Sequence, residues 1–216
     1  KLGLESVLFP AFKINKIKVK KPNQQYDLII FISTNAVDYA EKYFNSLLTG
    51  SIKIFAIGPI TAKKLFDKDI KVDGYAQSNS SSKKLLNMPY FKALTNKKIL
   101  IVRGRGGSEN LKNILQEKNQ IDYLEVYERV PCNLTPLHSQ SLKTFLAAKN
   151  GVVIINSVES LSSVISLVRK ESETFLEQLK DRELIVLSER IKSEAEVNGF
   201  KKIKVTLNPS DQDIVN

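Results

Sequence analysis

The sequence predicts an α/β protein of two lobes, each a parallel sheet doubly wound by helices, with a cleft between them. From Asp27 onward, apolar strands alternate with helical segments, as βα units require. The strand interiors are apolar throughout, from Leu28 to Ile32, Ile99 to Val102 and Val152 to Ile155. Parallel strands covered on both faces read this way. The pattern also occurs twice. Ile29–Val37 and Val152–Leu161 each give an apolar run, a small polar turn and a helix start. Ile52–Ala62 and Leu184–Ile191 repeat the pairing in the same order, as two related halves would.

Lys1-Leu2-Gly3-Leu4 reads as the end of a helix closed by Gly3, so a further element is expected before residue 1. Residues 12–21 alternate Phe12, Ile14, Ile17 and Val19 with lysines, the pattern of a half-exposed strand, and Pro22-Asn23 ends it. Strands follow at 28–32, 52–57, 98–102, 121–127, 152–155, 184–187 and 203–206. Between them, Ala36, Ala40, Tyr43, Phe44, Leu47 and Leu48 fall on one helical face. So do Leu111, Ile114 and Leu115, and again Leu161, Val164, Ile165 and Val168. Ser78–Ser82 is a polar loop or helix start. Tyr127–Pro131, with Pro136 beyond it, lies between the halves and makes a second chain crossing beside the Lys-rich strand. The first lobe is therefore discontinuous, residues 1–12 and 134–216. The second spans 18–125, with linkers at 13–17 and 126–133.

With 216 residues, 42% hydrophobic and 26% charged, the chain can bury a core of its own. No apolar stretch reaches the length of a bilayer span and no signal peptide is visible, so a cytoplasmic protein with no membrane partner is expected. Cys132 is the only cysteine and His138 the only histidine, which argues against a disulfide or a metal site of the usual kind. The excess of 33 Lys+Arg over 23 Asp+Glu, a net +10, favours anionic partners. A small polyanion fits this balance as well as a merely solvated basic surface does. A nucleic acid fits less well, because the basic residues are not interleaved with stacking aromatics.

The sharpest local signal is Ile99–Leu111, a buried strand ending in Arg103-Gly104-Arg105-Gly106-Gly107 before a helix. Glycines let the backbone approach a ligand, exposed N–H groups attract anions, and arginine grips carboxylates bidentately. The run is no Walker loop, since no Gly-Lys-Ser/Thr follows. Glu109 stands where a dinucleotide fingerprint needs Gly or Ala. Four other turns put a hydroxyl or glycine at a strand's carboxyl end: Ser33-Thr34-Asn35, Gly58-Pro59-Ile60-Thr61, Asn156-Ser157 and Ser188-Glu189-Arg190. Singly, each is an N-cap. Together, divided between two lobes, they would surround a ligand with several acidic groups. Each charge-assisted bond would add roughly 1.5–3 kcal/mol.

No Gly-x-Ser-x-Gly elbow, no His-Glu-x-x-His and no catalytic carboxylate pair is present. Catalysis would rest on positioning and backbone donors. His138 lies in a polar linker, Pro136-Leu137-His138-Ser139. Tyr127 closes a strand at the lobe junction, where its phenol is either a hydrogen-bond donor or acid, or an interlobe packing group.

Six segments in order resemble the uroporphyrinogen-III synthase family: FISTNAV (31–37), FAIGPITAKKL (55–65), ILIVRGRGGSENL (99–111), YLEVYERVPC (123–132), VVIINSVESL (152–161) and VLSERIKSEAEVNGFKKIKV (186–205). The resemblance implies flavodoxin-like lobes joined by a two-stranded linker, with the active site in the cleft. It implies cyclisation of hydroxymethylbilane, a linear tetrapyrrole with eight carboxylates, to uroporphyrinogen III with inversion of the terminal pyrrole ring and loss of water. No cofactor or metal is expected. The protein would act as a monomer, with transient contact to the preceding pathway enzyme. By position, Tyr127 resembles the cleft tyrosine proposed to assist departure of the substrate hydroxyl. Thr61 resembles the threonine of Gly-x-x-Thr-Ala. Ser33, Ser157 and Ser188 match cleft-facing turns, and Arg103 with Gly104–Gly107 matches the glycine-rich turn. Ser108 stands where the family often has Arg, with Arg105 beside it, and Ile191 where relatives can carry a hydroxyl. The family's first strand is absent before Lys1, so those residues are expected to precede it; losing them would leave a sheet edge unpaired. The alternative is a non-catalytic two-lobe module that binds an acidic small molecule.

Overall fold

The computed structural model describes residues 5–20, 22, 24–77 and 82–206. The expected helix end at Gly3 and the segment 78–81 lie outside them. The chain divides into two compact units, Lys1–Lys13 with Val130–Asn216, and Ile14–Arg129.

The larger sheet contains β1 (Phe12–Lys16), β2 (Leu28–Phe31), β3 (Lys53–Ala56), β4 (Gly74–Tyr75), β5 (Lys98–Gly104) and β6 (Gln120–Pro131), in the order β1-β6-β5-β2-β3-β4. The pairs β2–β3, β2–β5, β3–β4 and β5–β6 are parallel. Beside β6 the pairing runs the other way: Ile17 N–H donates to the Val126 carbonyl and Cys132 N–H to that of Ala11, both at 3.0 Å. This ladder is antiparallel. The order β3-β2-β5-β6 is flavodoxin-like, with the two-residue β4 added outside β3.

All four residues of β2 are buried, as expected of a strand covered on both faces. Ile29, Phe31, Leu100, Val102 and Leu124 meet α1 (Thr34–Ala40) and α3 (Pro59–Phe66) through Val37, Ala40, Ala62 and Leu65. Between these helices lie a 3-10 turn, Glu41–Tyr43, and α2 (Phe44–Leu47). Leu28, Ile30, Ile99 and Ile101 point to the opposite face. There they meet Leu85 of α4 (Ser82–Leu86), Phe91 of α5 (Pro89–Lys92) and Leu111 and Leu115 of α6 (Asn110–Leu115).

In the other unit, β7 (Val152–Ile155), β8 (Glu183–Val186) and β9 (Lys202–Val205) form a parallel sheet in chain order. Around it lie α7 (Pro136–Ala147), α8 (Val158–Glu171), α9 (Glu173–Lys180) and α10 (Glu189–Val197). Leu161, Val164, Ile165 and Val168, read as one helical face, are all buried in its core. The duplication is real at this level: β2–α1 and β3–α3 match β7–α8 and β8–α10, with each strand pair parallel. The halves also differ. Among the described residues no strand pairs with the outer edge of β7, and its Val152 and Ile154 side chains are 42% and 52% exposed.

Three local expectations are corrected. The strand expected over 12–21 stops at Lys16; among the described residues no strand ladder beyond the Ile17–Val126 bond holds the lysine-rich remainder. Tyr127 does not close its strand; β6 continues to Pro131 because the antiparallel ladder extends it. His138 is no linker residue. It lies in the first turn of α7, 3% exposed. Its Nδ1 accepts from Thr135 N–H at 3.1 Å, so Nε2 carries the proton and donates to the Pro10 carbonyl at 2.8 Å. Ser163 donates to the Ala11 carbonyl at 2.8 Å and ties the same segment to α8.

Asp27 fastens the start of β2 to its neighbour: its carboxylate accepts from Lys98 N–H at 2.9 Å, and Lys97 lies at 3.4 Å. The Lys98 N–H first, then Lys97, holds its carboxyl below the ordinary 3.8. A depressed carboxyl stabilises the fold above its unfolded pKa and loses that contribution as pH falls through the folded value. Asp27→Asn should therefore lower stability at neutral pH, and the gap to the wild type should close below pH 3.8, read by urea unfolding across the acid range.

Candidate functional site

In the larger sheet the chain steps outward from β2 to β3, then returns to place β5 on the other side of β2. Open α/β sheets bind ligands at such a reversal, outside the strands' carboxyl ends. The Ser33 and Gly104–Gly107 turns leave β2 and β5 there, and the Gly58–Thr61 turn leaves neighbouring β3.

Ser33 is the N-cap of α1, extended at φ −166, and its Oγ accepts from Ala36 N–H at 3.0 Å. The same oxygen lies 3.0 Å from the Tyr127 hydroxyl, and either group can donate. Thr34 and Asn35 open the helix, half-buried. What brings Tyr127 to Ser33 is a slip in the sheet. Arg103 pairs with Glu125, but Gly104 pairs with Tyr127, so Val126 is passed over. An extra residue of this kind re-aims the side chains after it. Leu124 and Val126 face the α1–α3 side by ordinary alternation, and Tyr127 joins them instead of crossing to the other face. The ring is 5% exposed and its centroid lies 5.9 Å from that of Tyr39.

Gly104 makes the room. A Cβ there would stand 2.5 Å from two atoms of the Tyr127 ring. The Tyr127 carbonyl in turn accepts from Arg105 N–H at 2.7 Å.

Arg103 behaves differently from the expected free carboxylate grip. It is 2% exposed and spends its donors inside the protein. Nε donates to the Gly104 carbonyl at 3.0 Å, Nη2 to that of Gly106, and Nη1 to Glu109 at 2.8 Å. The guanidinium also stacks over the Tyr123 ring, 4.4 Å from its centroid. Drawing the Gly106 carbonyl inward turns the N–H of the same planar peptide, that of Gly107, outward. Gly106 at φ 75 and Gly107 at φ 93 take the left-handed conformations this requires. Successive outward N–H groups form an anion-binding concavity. Arg105 is the exposed cation of the turn, loosely paired with Glu128 at 3.1 Å and Glu125 at 3.8 Å. Such exposed pairs hold it by about 0–1 kcal/mol, so it is free to turn to an anion.

Glu109 also accepts from the Tyr123 hydroxyl at 2.7 Å. That bond, then Arg103, holds its carboxyl below the usual range. Burial and the Glu109 hydrogen bond push the Tyr123 phenol up to about 12. The sequence marked Glu109 only as a departure from a nucleotide fingerprint; Tyr123 carried no local signal at all.

Gly58 caps α3 with Pro59 at its first turn, and Thr61 behind them is 4% exposed. In the other unit, Ser157 caps α8, accepting from Ser160 N–H at 3.1 Å, and Ser188 caps α10, accepting from Ile191 N–H at 3.4 Å. Arg190 is exposed on the first turn of α10. These turns leave adjacent strands β7 and β8, so Ser157, Ser188 and Arg190 form a second group of their own. Among the described residues no three His, Cys, Asp or Glu side chains converge as a metal-ligand set.

The sequence profile of the family described as "Uroporphyrinogen-III synthase HemD" matches residues 1–216. The uroporphyrinogen-III synthase of Escherichia coli (strain K12) is 28% identical over 187 residues, covering 84% of this chain and 74% of that one. That of Proteus mirabilis is 29% identical over 122 residues, 55% of this chain and 58% of its own. Among solved structures, the uroporphyrinogen-III synthetase of Helicobacter pylori 26695 superposes with a TM-score of 0.67 at 18% identity, covering 94% of this chain and 87% of that one. This last likeness is one of fold.

Gly104→Ala should displace the Tyr127 ring and break its bond to Ser33. Overpacking of this kind costs about 1–3 kcal/mol, seen as a lowered melting temperature, and tyrosine fluorescence should report the displaced ring.

Proposed function

The chain belongs to the uroporphyrinogen-III synthase family, cyclising enzymes of the lyase class in tetrapyrrole biosynthesis, and from that membership we propose how its own residues close hydroxymethylbilane to uroporphyrinogen III. The family match favours this reading over a non-catalytic binding module. The observation that carries the mechanism is the Tyr127–Ser33 hydroxyl pair, 3.0 Å apart at the reversal point of the sheet.

Closure begins with loss of the substrate's terminal hydroxyl, which departs with a proton as water. The Tyr127 phenol donates a hydrogen bond to that leaving oxygen. Ser33, fixed by its own cap bond to Ala36 N–H, holds the phenol's orientation and donates back to its oxygen as negative charge develops there. The electron-deficient carbon left behind is attacked by the substituted α-carbon of the terminal pyrrole. The spiro centre's older bond to its bridging methylene then breaks, and that methylene re-bonds at the ring's free α-carbon. The proton lost there balances the one that left with the water, with the ring now inverted. No protein nucleophile is required. The enzyme's part is to hold a chain that otherwise closes to the wrong isomer in the geometry for inversion. The Gly107 N–H, Arg105 and the Gly58–Thr61 turn receive carboxylates in one unit; Ser157, Ser188 and Arg190 offer the same chemistry in the other. The net +10 speeds encounter with such a polyanion. No helix among the described residues is long and apolar enough to cross a membrane, and we place the enzyme in the cytoplasm as a monomer that passes through transient contact with the enzyme supplying its unstable substrate.

Freshly generated hydroxymethylbilane should yield mainly uroporphyrin of isomer III with this protein and isomer I without it, resolved by chromatography after oxidation. Isomer I alone in the presence of folded protein would remove the enzymatic reading and leave a binding module.

A further inference from the structure

Arg103 and Glu109 form an unequal pair. The guanidinium is 2% exposed, whereas the carboxylate side chain is 50% exposed. A pair kept only for stability gains little from such an arrangement, because water already solvates half of it. Two donors from neighbouring strands converge on this one carboxylate: Arg103 Nη1 at 2.8 Å and the Tyr123 hydroxyl at 2.7 Å. The guanidinium does not depend on Glu109 for its place. The Gly104 and Gly106 carbonyls and the Tyr123 ring hold its other atoms, with Glu125 at 4.0 Å. If Glu109 swings into solvent, it regains its hydration at small cost, while the buried Nη1 loses its acceptor, which Glu125, 4.0 Å away on the Nε side, does not replace.

We propose that Arg103 and Tyr123 form a carboxylate receptor, occupied by Glu109 in the free protein and taken over by one acidic side chain of the substrate. This rests on hydroxymethylbilane being the substrate. Glu109 is then an internal competitor that keeps the receptor closed and charge-balanced until a carboxylate replaces it. The lowered Glu109 carboxyl agrees, since the two donors favour an ionised occupant. The receptor adjoins the glycine turn, with the Arg103 guanidinium 3.3 Å from where a Gly107 Cβ would stand.

The test compares the wild type, Glu109→Ala, Tyr123→Phe and the double variant. Removing the competitor should lower KM for hydroxymethylbilane about three- to tenfold, the worth of one hydrogen-bonded occupant. Adding Tyr123→Phe should abolish that gain. A KM that is unchanged or raised in Glu109→Ala, or a gain that persists in the double variant, overturns the receptor; the latter would be a charge effect acting at a distance. Acetate reads the receptor without turnover: by nuclear magnetic resonance it should bind Glu109→Ala but neither the wild type nor the double variant, and no binding to Glu109→Ala overturns it. Should Glu109→Ala not fold, the Glu109 carboxyl of the wild type should titrate in the ordinary range once uroporphyrinogen III is bound, and an unmoved titration is the contrary result. Failure of the wild type to form isomer III would sink the functional reading alone, with acetate still deciding the receptor.

Discussion

A one-residue slip between β5 and β6 governs the site. With continuous pairing Tyr127 would lie on the α6 side of the sheet with Tyr123, and Ser33 would have no aromatic partner. The slip at Arg103/Gly104 turns the ring to the α1 side, and the missing side chain of Gly104 leaves space for it. Each feature is useless without the other. The bulge aims the ring, and the glycine admits it. The Tyr127–Ser33 bond and the cap of α1 then share a single serine oxygen, so the helix start and the candidate acid are fixed together.

The two faces of the same strand end divide the labour. On one face lie Ser33, Tyr39 and Tyr127, hydroxyls and rings with no formal charge. On the other lies the Arg103–Glu109–Tyr123 cluster, which shapes the glycine turn from behind. The buried arginine arranges the backbone of the turn through the Gly106 carbonyl and, in the receptor proposed above, also offers Nη1 to a carboxylate. The exposed cation, Arg105, stands one residue away with only loose surface partners. In the proposed reaction this division would let a basic protein hold a polyanion through many N–H contacts of modest strength, with the leaving-group chemistry next to an uncharged phenol.

What the sequence revealed followed the range of the physics involved. Val152–Ile155 was legible to the residue because an unbroken apolar run bounded by polar turns has few alternatives. The N-caps Ser33, Ser157 and Ser188 were legible because capping depends on residues three apart. Arg103 was visible as a residue but not as a buried one, since its partners are set by the fold of the turn itself. Tyr123 was not singled out, and Glu109 was marked only as a departure from a nucleotide fingerprint, because their bond joins β6 to the turn after β5 and needs the register of the sheet. His138 was misread from the same cause: Pro136-Leu137-His138-Ser139 looks like a polar linker until the Pro10 carbonyl, 128 residues away, supplies its partner.

If the slip exists to deliver the Tyr127 hydroxyl, then that single oxygen should matter to rate far more than to stability. The rate of isomer III formation by Tyr127→Phe, set beside its melting temperature, decides this. A rate lowered about 100-fold or more, with stability changed by about 0.5–1.5 kcal/mol or less, is expected of a group that assists proton transfer and makes one buried hydrogen bond. A rate equal to the wild type's would show the ring to be packing, and the loss of water would have to be assigned to another donor.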